Sequence, residues 1–234
     1  MKNRILDMLD VSHSRLSPKR PLTSYFKVQR LIARCIRGRR WAANWADIQS
    51  KNLLDIGCGP NTNKSFINLD YGWHPGVNLC WDITRGIPIR SNSLEGIFTE
   101  HCLEHIPFHY IIPILGECIR VLQPGGTIRI VVPDGELYLK GYMALLANKE
   151  APSLPYALRD SRDGLYSPIM SINRIFREEG HEFIYDFDCL SKLLERAGFQ
   201  DIERLSLRQG RNSKLLIDSP SRAIESLYIE ATKP

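Results

Sequence analysis

The sequence predicts an α/β protein whose core is a mostly parallel, seven-stranded sheet with an antiparallel last strand. Three observations predict it. Short apolar runs suited to strands alternate with stretches of helical period, and that alternation favours a parallel sheet. The run Leu53-Leu54-Asp55-Ile56-Gly57-Cys58-Gly59-Pro60-Asn61 reads as a buried strand ending in an acid, followed by a turn with two glycines. The last two apolar runs are joined by a segment holding Gly210, Ser219 and Pro220 and no helical pattern, which favours an antiparallel final hairpin.

Strands are expected at 52–56, 66–70, 77–81, 95–100, 126–132, 201–207 and 223–231, and helices at 25–45, 108–122, 136–148 and 187–197. Gln123-Pro124-Gly125-Gly126 is a strong turn, because Gly closes a preceding helix and Pro cannot continue it. Asp188 is placed to cap the helix that ends at Ala197-Gly198. The gaps between the first three strands are shorter than the dozen or so residues a parallel crossover ordinarily needs, so either the early crossovers are reduced to turns or not all three runs are strands. The stretch 149–186, with Pro152, Pro155, Gly164, Pro168 and Gly180, fits no regular element and reads as a docked lid or binding loop, given Tyr156, Tyr166, Ile169, Met170, Ile172, Ile175 and Phe176.

The 234 residues, 43% of them hydrophobic, suit one α/β domain with additions. No apolar run approaches the ~20 residues that span a bilayer, and the first twenty residues lack the apolar region of a secretory signal. Six cysteines without a C-x-x-C pair read as free thiols in a reducing cytoplasm. The net charge of +5 is uneven: residues 1–51 hold 12 Lys/Arg against 3 Asp/Glu, leaving 19 basic and 23 acidic residues in a mildly acidic body. The division expected is a basic helical extension over 1–49 and a catalytic domain over 50–234. Within 25–45, Phe26, Ile32, Ile36 and Trp41 are interleaved with Arg30, Arg34, Arg37, Arg39 and Arg40. Such a helix can touch nucleic acid or lie on an anionic membrane, which would make the protein peripheral to it. The plainer reading, a helix packed on the domain with a solvated arginine face, is preferred.

The acid-first, two-glycine run suggests a small-molecule cofactor site at the sheet's C-terminal edge. It is neither G-x-G-x-x-G nor a P-loop. With INLD, WDITRGIPIRSNSLEGIFTEH, ECIRVLQPGG, TIRIVVPD, HEFIYDFDCLSKLLERAGF and SLYIEATKP following in order, the chain resembles class I S-adenosylmethionine-dependent methyltransferases of the small-molecule, type 11 kind, over about residues 50–232. The resemblance implies a Rossmann-like sheet and S-adenosyl-L-methionine as cofactor. It implies that Asp55, Gly57 and Gly59 hold the cofactor's amino acid moiety, that Asp70 binds the ribose hydroxyls and that Asp82 with Ile83 contacts adenine. Glu100 and His101 would line the side nearest the methyl group. The missing third glycine and the shortened crossovers depart from the family pattern.

His101-Cys102-Leu103-Glu104-His105 spells H-x-x-E-H, the inverted zinc-protease motif. That motif needs a sustained helix and a distant acidic ligand. Here it directly follows a strand, Pro107 comes two residues later, and nothing marks Glu178 or Glu179 as the third ligand. No metal is therefore expected, and Leu103-Glu104-His105 is read as the opening of the helix after the fourth strand. His101, His105 and His181 are instead candidate general bases for a hydroxyl acceptor. The function expected is methyl transfer to a small molecule or glycan, at oxygen. The alternatives are an RNA methyltransferase using the basic extension and a cofactor-binding partner subunit without catalysis.

Overall fold

The computed structural model describes residues 24–147, 149–150 and 167–234. Expectations for residues 1–23 and for Pro152, Pro155, Tyr156, Gly164 and Tyr166 of the 149–186 stretch lie outside the described residues. Seven strands form one sheet: β1 (Leu53–Ile56), β2 (Ile67–Asp70), β3 (Leu79–Cys80), β4 (Leu94–Glu100), β5 (Leu122–Pro133), β6 (Gln200–Leu205) and β7 (Ser226–Thr232). Their order is β3-β2-β1-β4-β5-β7-β6. The pairs from β3 to β5 are all parallel, and β7 runs antiparallel to both β5 and β6. The sheet is thus the mostly parallel one expected, with the final hairpin inserted beside β5. The helices are α1 (Ser24–Ile36), α2 (Trp45–Gln49), α3 (Ile111–Val121), α4 (Gly135–Leu146), α5 (Pro168–Arg177) and α6 (Phe187–Ala197). No helix among the described residues is long and apolar enough to cross a membrane.

The early crossovers are short, as expected: residues 57–66 and 71–78 contain turns and no helix. Backbone groups in such a connection still need partners, and asparagines supply them. Asn68, 2% exposed on β2, accepts from the Asn63 amide at 2.8 Å and donates to the carbonyls of Asn63 and Phe66. Its own amide donates to Asn78 Oδ1 at 2.8 Å, and Asn78 in turn donates to Asp47 Oδ2 at 2.7 Å. Ile48, from α2, joins the main core with Leu54, Ile67 and Leu79.

Alternation along the central strands separates two cores. Ile97 faces the large core with Ile111, Leu115 and Cys118 of α3 and Leu190 and Leu194 of α6. Its neighbour Phe98 faces Phe66, Val131, Leu215 and Tyr228 on the other side. A loop covers that second side, held by the fully buried Arg129. Its guanidinium donates bidentately to Asp218 at 2.6 Å and 2.6 Å, and to Glu230 at 2.9 Å. Two backbone carbonyls, Ser206 and Gln209, take its remaining donors.

Several boundaries differ from expectation for local reasons. The helix expected over 25–45 stops at Ile36 because Gly38 turns the chain (φ +73) and its amide donates to the Cys80 carbonyl at 3.0 Å, pairing with the sheet edge instead. Phe108–Tyr110 forms a 3-10 turn ahead of α3, and Leu103–His105 is likewise a 3-10 turn rather than the opening of a helix. Asp186, not Asp188, caps α6, accepting from the Cys189 amide at 2.8 Å, while Asp188 pairs with Lys192. Within 149–186, α5 is regular, with Ile175 buried against Tyr138 and Ile184.

Replacing Asn68 by leucine keeps the branched shape and removes four side-chain hydrogen bonds around the β1–β2 connection. The expected loss is about 2–4 kcal/mol of unfolding free energy, read from urea denaturation. A loss under ~0.5 kcal/mol would show that the asparagine network is dispensable.

Candidate functional site

Parallel pairing brings the C-terminal ends of β2, β1 and β4 side by side, and each ends in or near an acid: Asp70, Asp55 and Glu100. Asp55 is 4% exposed. Burial, with Glu100 and Asp70 as like-charged neighbours, pushes its carboxyl up from 3.8 to about 7. The turn after β1 requires both glycines. Gly57 has φ +76, and a Cβ there would lie 2.5 Å from the Cys102 side chain, while Gly59 has φ +53 with open space in front of it. The Gly59 amide donates to Asp70 Oδ2 at 2.8 Å and the Gly72 amide to Asp70 Oδ1 at 2.6 Å. Each Asp70 oxygen keeps a second lone pair for a further donor.

The neighbouring predicted residues are placed less openly. Asp82 Oδ1 caps the turn at Ile83–Arg85, accepting from the amide of Thr84 at 3.1 Å and its hydroxyl at 2.7 Å. Ile83 is turned into the main core rather than onto an open face. Glu100 is held by Ser219, whose amide and hydroxyl donate to its two oxygens at 2.8 and 2.6 Å.

Next to this acidic edge, past the end of β4, an open cavity of ≈ 320 Å³ is lined by His101, His105, His181, Glu179, Arg222 and Glu225, with Pro133. All three predicted histidines therefore meet in one place. His101 sits at φ +48, a left-handed conformation unusual for a side-chain-bearing residue. The Ser226 hydroxyl donates its hydrogen to the Arg222 carbonyl at 2.8 Å, so the His101 Nε2–H donates to Ser226 Oγ at 2.9 Å. That leaves the lone pair on Nδ1, 3.3 Å from Glu104 Oε1 and 3.3 Å from the Arg222 guanidinium. The His105 and His181 rings are 5.0 Å apart. Burial pushes the His105 imidazole below its usual range, against the pull of the Glu104 carboxylate.

His181 arrives from far along the chain. The Glu182 and Phe183 amides donate to the Glu104 carbonyl at 2.7 and 3.2 Å. Tyr185 bridges to Asp134 at the end of β5, and its carbonyl accepts from Gly135 at 2.8 Å. Sequence reasoning missed Arg222, in the turn Pro220–Arg222 ahead of the expected strand, and Glu225, in a turn where strand was expected, and no periodicity marks them. It also placed Glu104 at a helix end, whereas the side chain is wholly buried.

Residues 63–130 match the family model described as a methyltransferase domain. No curated protein matches the chain. Solved structures with a similar course include an S-adenosylmethionine-dependent methyltransferase from Archaeoglobus fulgidus, with 15% identity, 90% of this chain and 100% of that one covered, and a TM-score of 0.48. Another is a possible histamine N-methyltransferase from Thermotoga maritima, with 14% identity, coverage of 90% and 95%, and a TM-score of 0.48. A third, a methyltransferase from Methanosarcina mazei, shows 20% identity, coverage of 77% and 91%, and a TM-score of 0.45.

The raised Asp55 pKa sets the sign of a stability effect. Between 3.8 and about 7 the folded state holds a proton that the unfolded state has lost, so stability falls as pH rises through that window. Asp55→Asn removes the effect. The unfolding free energy of the variant, from urea denaturation, should gain on the parent's from pH 4 to 7 by at most about 1.4 kcal/mol per pH unit. Parallel profiles would show that Asp55 ionises normally in the fold.

Proposed function

We propose that this chain, a class I S-adenosylmethionine-dependent methyltransferase, transfers its methyl group to a hydroxyl oxygen of a small molecule or glycan bound in the cavity lined by His101, His105 and His181. The observation that carries the reading is the juxtaposition of that cavity with the acidic strand edge, through the consecutive residues Glu100 and His101.

The residues present fit the cofactor. S-adenosylmethionine supplies an activated methyl on a positively charged sulfonium, and its ammonium adds a second positive charge. Asp55, Asp70 and Glu100 make the edge negative where such a group would lie. Gly59 leaves room for it, since nothing stands within 4 Å of where a Cβ would be. Asp55 would ionise fully on meeting a cation, and Asp70 would accept from two ribose hydroxyls through its remaining lone pairs.

For transfer, the acceptor oxygen must line up with the methyl carbon, and alignment is the larger part of what the protein supplies. With the cofactor bound, His101 Nδ1 would take the proton that the acceptor hydroxyl gives up as its oxygen is methylated and the sulfur leaves. Glu104, 3.3 Å away, stabilises the imidazolium that results. The acidic edge of Asp55, Asp70 and Glu100 would hold the neutral thioether product less tightly than the sulfonium, which would favour product release.

A second reading rests on α1 and the turn after it, where Arg34, Arg39 and Arg40 are exposed. Contact there with a nucleic acid or an anionic membrane would make the acceptor a larger partner. In that case activity on extract fractions follows RNA or lipid rather than small solutes.

Calorimetry in buffers of different ionisation enthalpy tests cofactor binding. The parent should bind S-adenosylmethionine and release close to one proton near pH 6.5, and Asp55→Asn should bind without release. Failure to bind either the cofactor or its demethylated product would sink the reading. With an acceptor identified by labelled cofactor, His101→Gln should lower kcat by about 10²–10⁴-fold at unchanged cofactor affinity. Unchanged kcat would remove His101 as the base.

A further inference from the structure

The Glu104 carboxylate raises a question that proton transfer alone does not answer. Its side chain has no solvent exposure, and neither oxygen accepts a hydrogen bond from any described residue. A buried carboxylate in that state is costly unless a cation neutralises it. Among the described residues no lysine or arginine pairs with it; what faces it are imidazoles, His101 Nδ1 at 3.3 Å and His105 Nε2 at 3.9 Å. One ligand-capable atom from each of Glu104, His105 and His181 lies within 4.8 Å of the others.

His181 is also held as metal ligands usually are, by a hydrogen bond on the nitrogen away from the site. His181 Nδ1 meets the Ile175 carbonyl at 2.5 Å, which leaves Nε2 with the lone pair. His105 Nδ1 faces Gly180, where a Cβ would lie 3.9 Å from it, and Nε2 is the nitrogen toward Glu104, 3.9 Å from Oε1. Left-handed backbone at Glu179 (φ +58) and Gly180 (φ +86) turns the chain to present His181. The H-x-x-E-H spacing thus fails as a helical motif, since Leu103–His105 is a 3-10 turn. The site closes differently, with His181 rather than a distant glutamate as the third donor.

We propose that Glu104, His105 and His181 bind one divalent transition-metal ion of the zinc class. Two neutral imidazoles and a carboxylate are a borderline N/O donor set that suits such an ion. Bonds of about 2.0–2.2 Å set tetrahedral ligand atoms about 3.4 Å apart, so the cluster contracts modestly on binding. Three protein ligands leave a fourth position open toward the ≈ 320 Å³ cavity. The ion site stands by itself. Its use, to hold and acidify the acceptor oxygen while His101 takes the proton, rests on the function proposed above.

Cobalt(II) titration of the tag-free, chelator-treated full chain tests the site. Visible absorption of four- or five-coordinate cobalt should saturate at one ion per chain and be displaced by zinc. Glu104→Gln and His181→Ala should each weaken binding by about 100-fold or more, and His109→Ala, an exposed histidine outside the cluster, should not. Thermal melting is followed for every variant; if Glu104→Gln fails to fold, His105→Ala at the more exposed ring replaces it, with the same weakening expected. Absence of a cobalt spectrum at millimolar metal, thiolate-to-cobalt charge-transfer bands, or binding unchanged in the ligand variants would each overturn the proposal. Loss of cofactor binding with cobalt binding intact would instead overturn only the proposed function.

Discussion

Three parallel strands at one side of the sheet are joined by connections too short to hold a helix, and most of what is distinctive in the molecule follows from that. A crossover helix ordinarily satisfies its own backbone and covers one face of the sheet. Here the two tasks are divided. Asn68 and Asn78 satisfy the connection's backbone groups, and Ile48 of α2 enters the core beside Leu54, Ile67 and Leu79. The basic N-terminal region is therefore partly architectural: Ala33 is buried and Arg37 stacks 3.5 Å over Tyr71 while donating to its carbonyl.

β4 connects the two halves of the site. Glu100 and His101 are consecutive, yet one serves the edge where Asp55 and Asp70 lie and the other serves the imidazole cavity. The left-handed backbone at His101 produces that division. Such strain persists only where surroundings fix it, and the fixings are visible: Ser219 on Glu100, and Ser226 and Arg222 on His101. All three partners come from the chain just before or within β7. The hairpin that completes the sheet therefore also shapes the site.

Much of this was legible in the sequence where the signal was local. The strand-acid-glycine run, the alternation of elements and the antiparallel ending each depend on neighbours within a few residues, and the structure has them where they were expected. The helix over 25–45 was misjudged because the Gly38 amide pairs with Cys80, a contact between residues 42 positions apart in numbering that no local pattern encodes. Glu104 was visible as a letter in a motif. Its burial depends on His181 and the 182–185 segment docking from a distant part of the chain, so the spacing of His101, Glu104 and His105 alone described the wrong geometry. Glu225 had no signal, since a turn before a strand looks like the strand's own beginning, and Arg222 sat in a connecting segment that no pattern marks.

The pairing of Gly38 with Cys80 has one more consequence. It occupies the outer side of β3, which would otherwise offer open amides and carbonyls to any passing chain. At the opposite margin β6 reads Gln-Asp-Ile-Glu-Arg-Leu, mostly exposed, with a register shift between Gln200 and Glu203 and left-handed backbone at Asp201. Charge and a bulge are features that discourage strand addition. Both margins of the sheet thus resist extension into a fibril or a shared sheet, and self-association of this fold is left to its helices and loops.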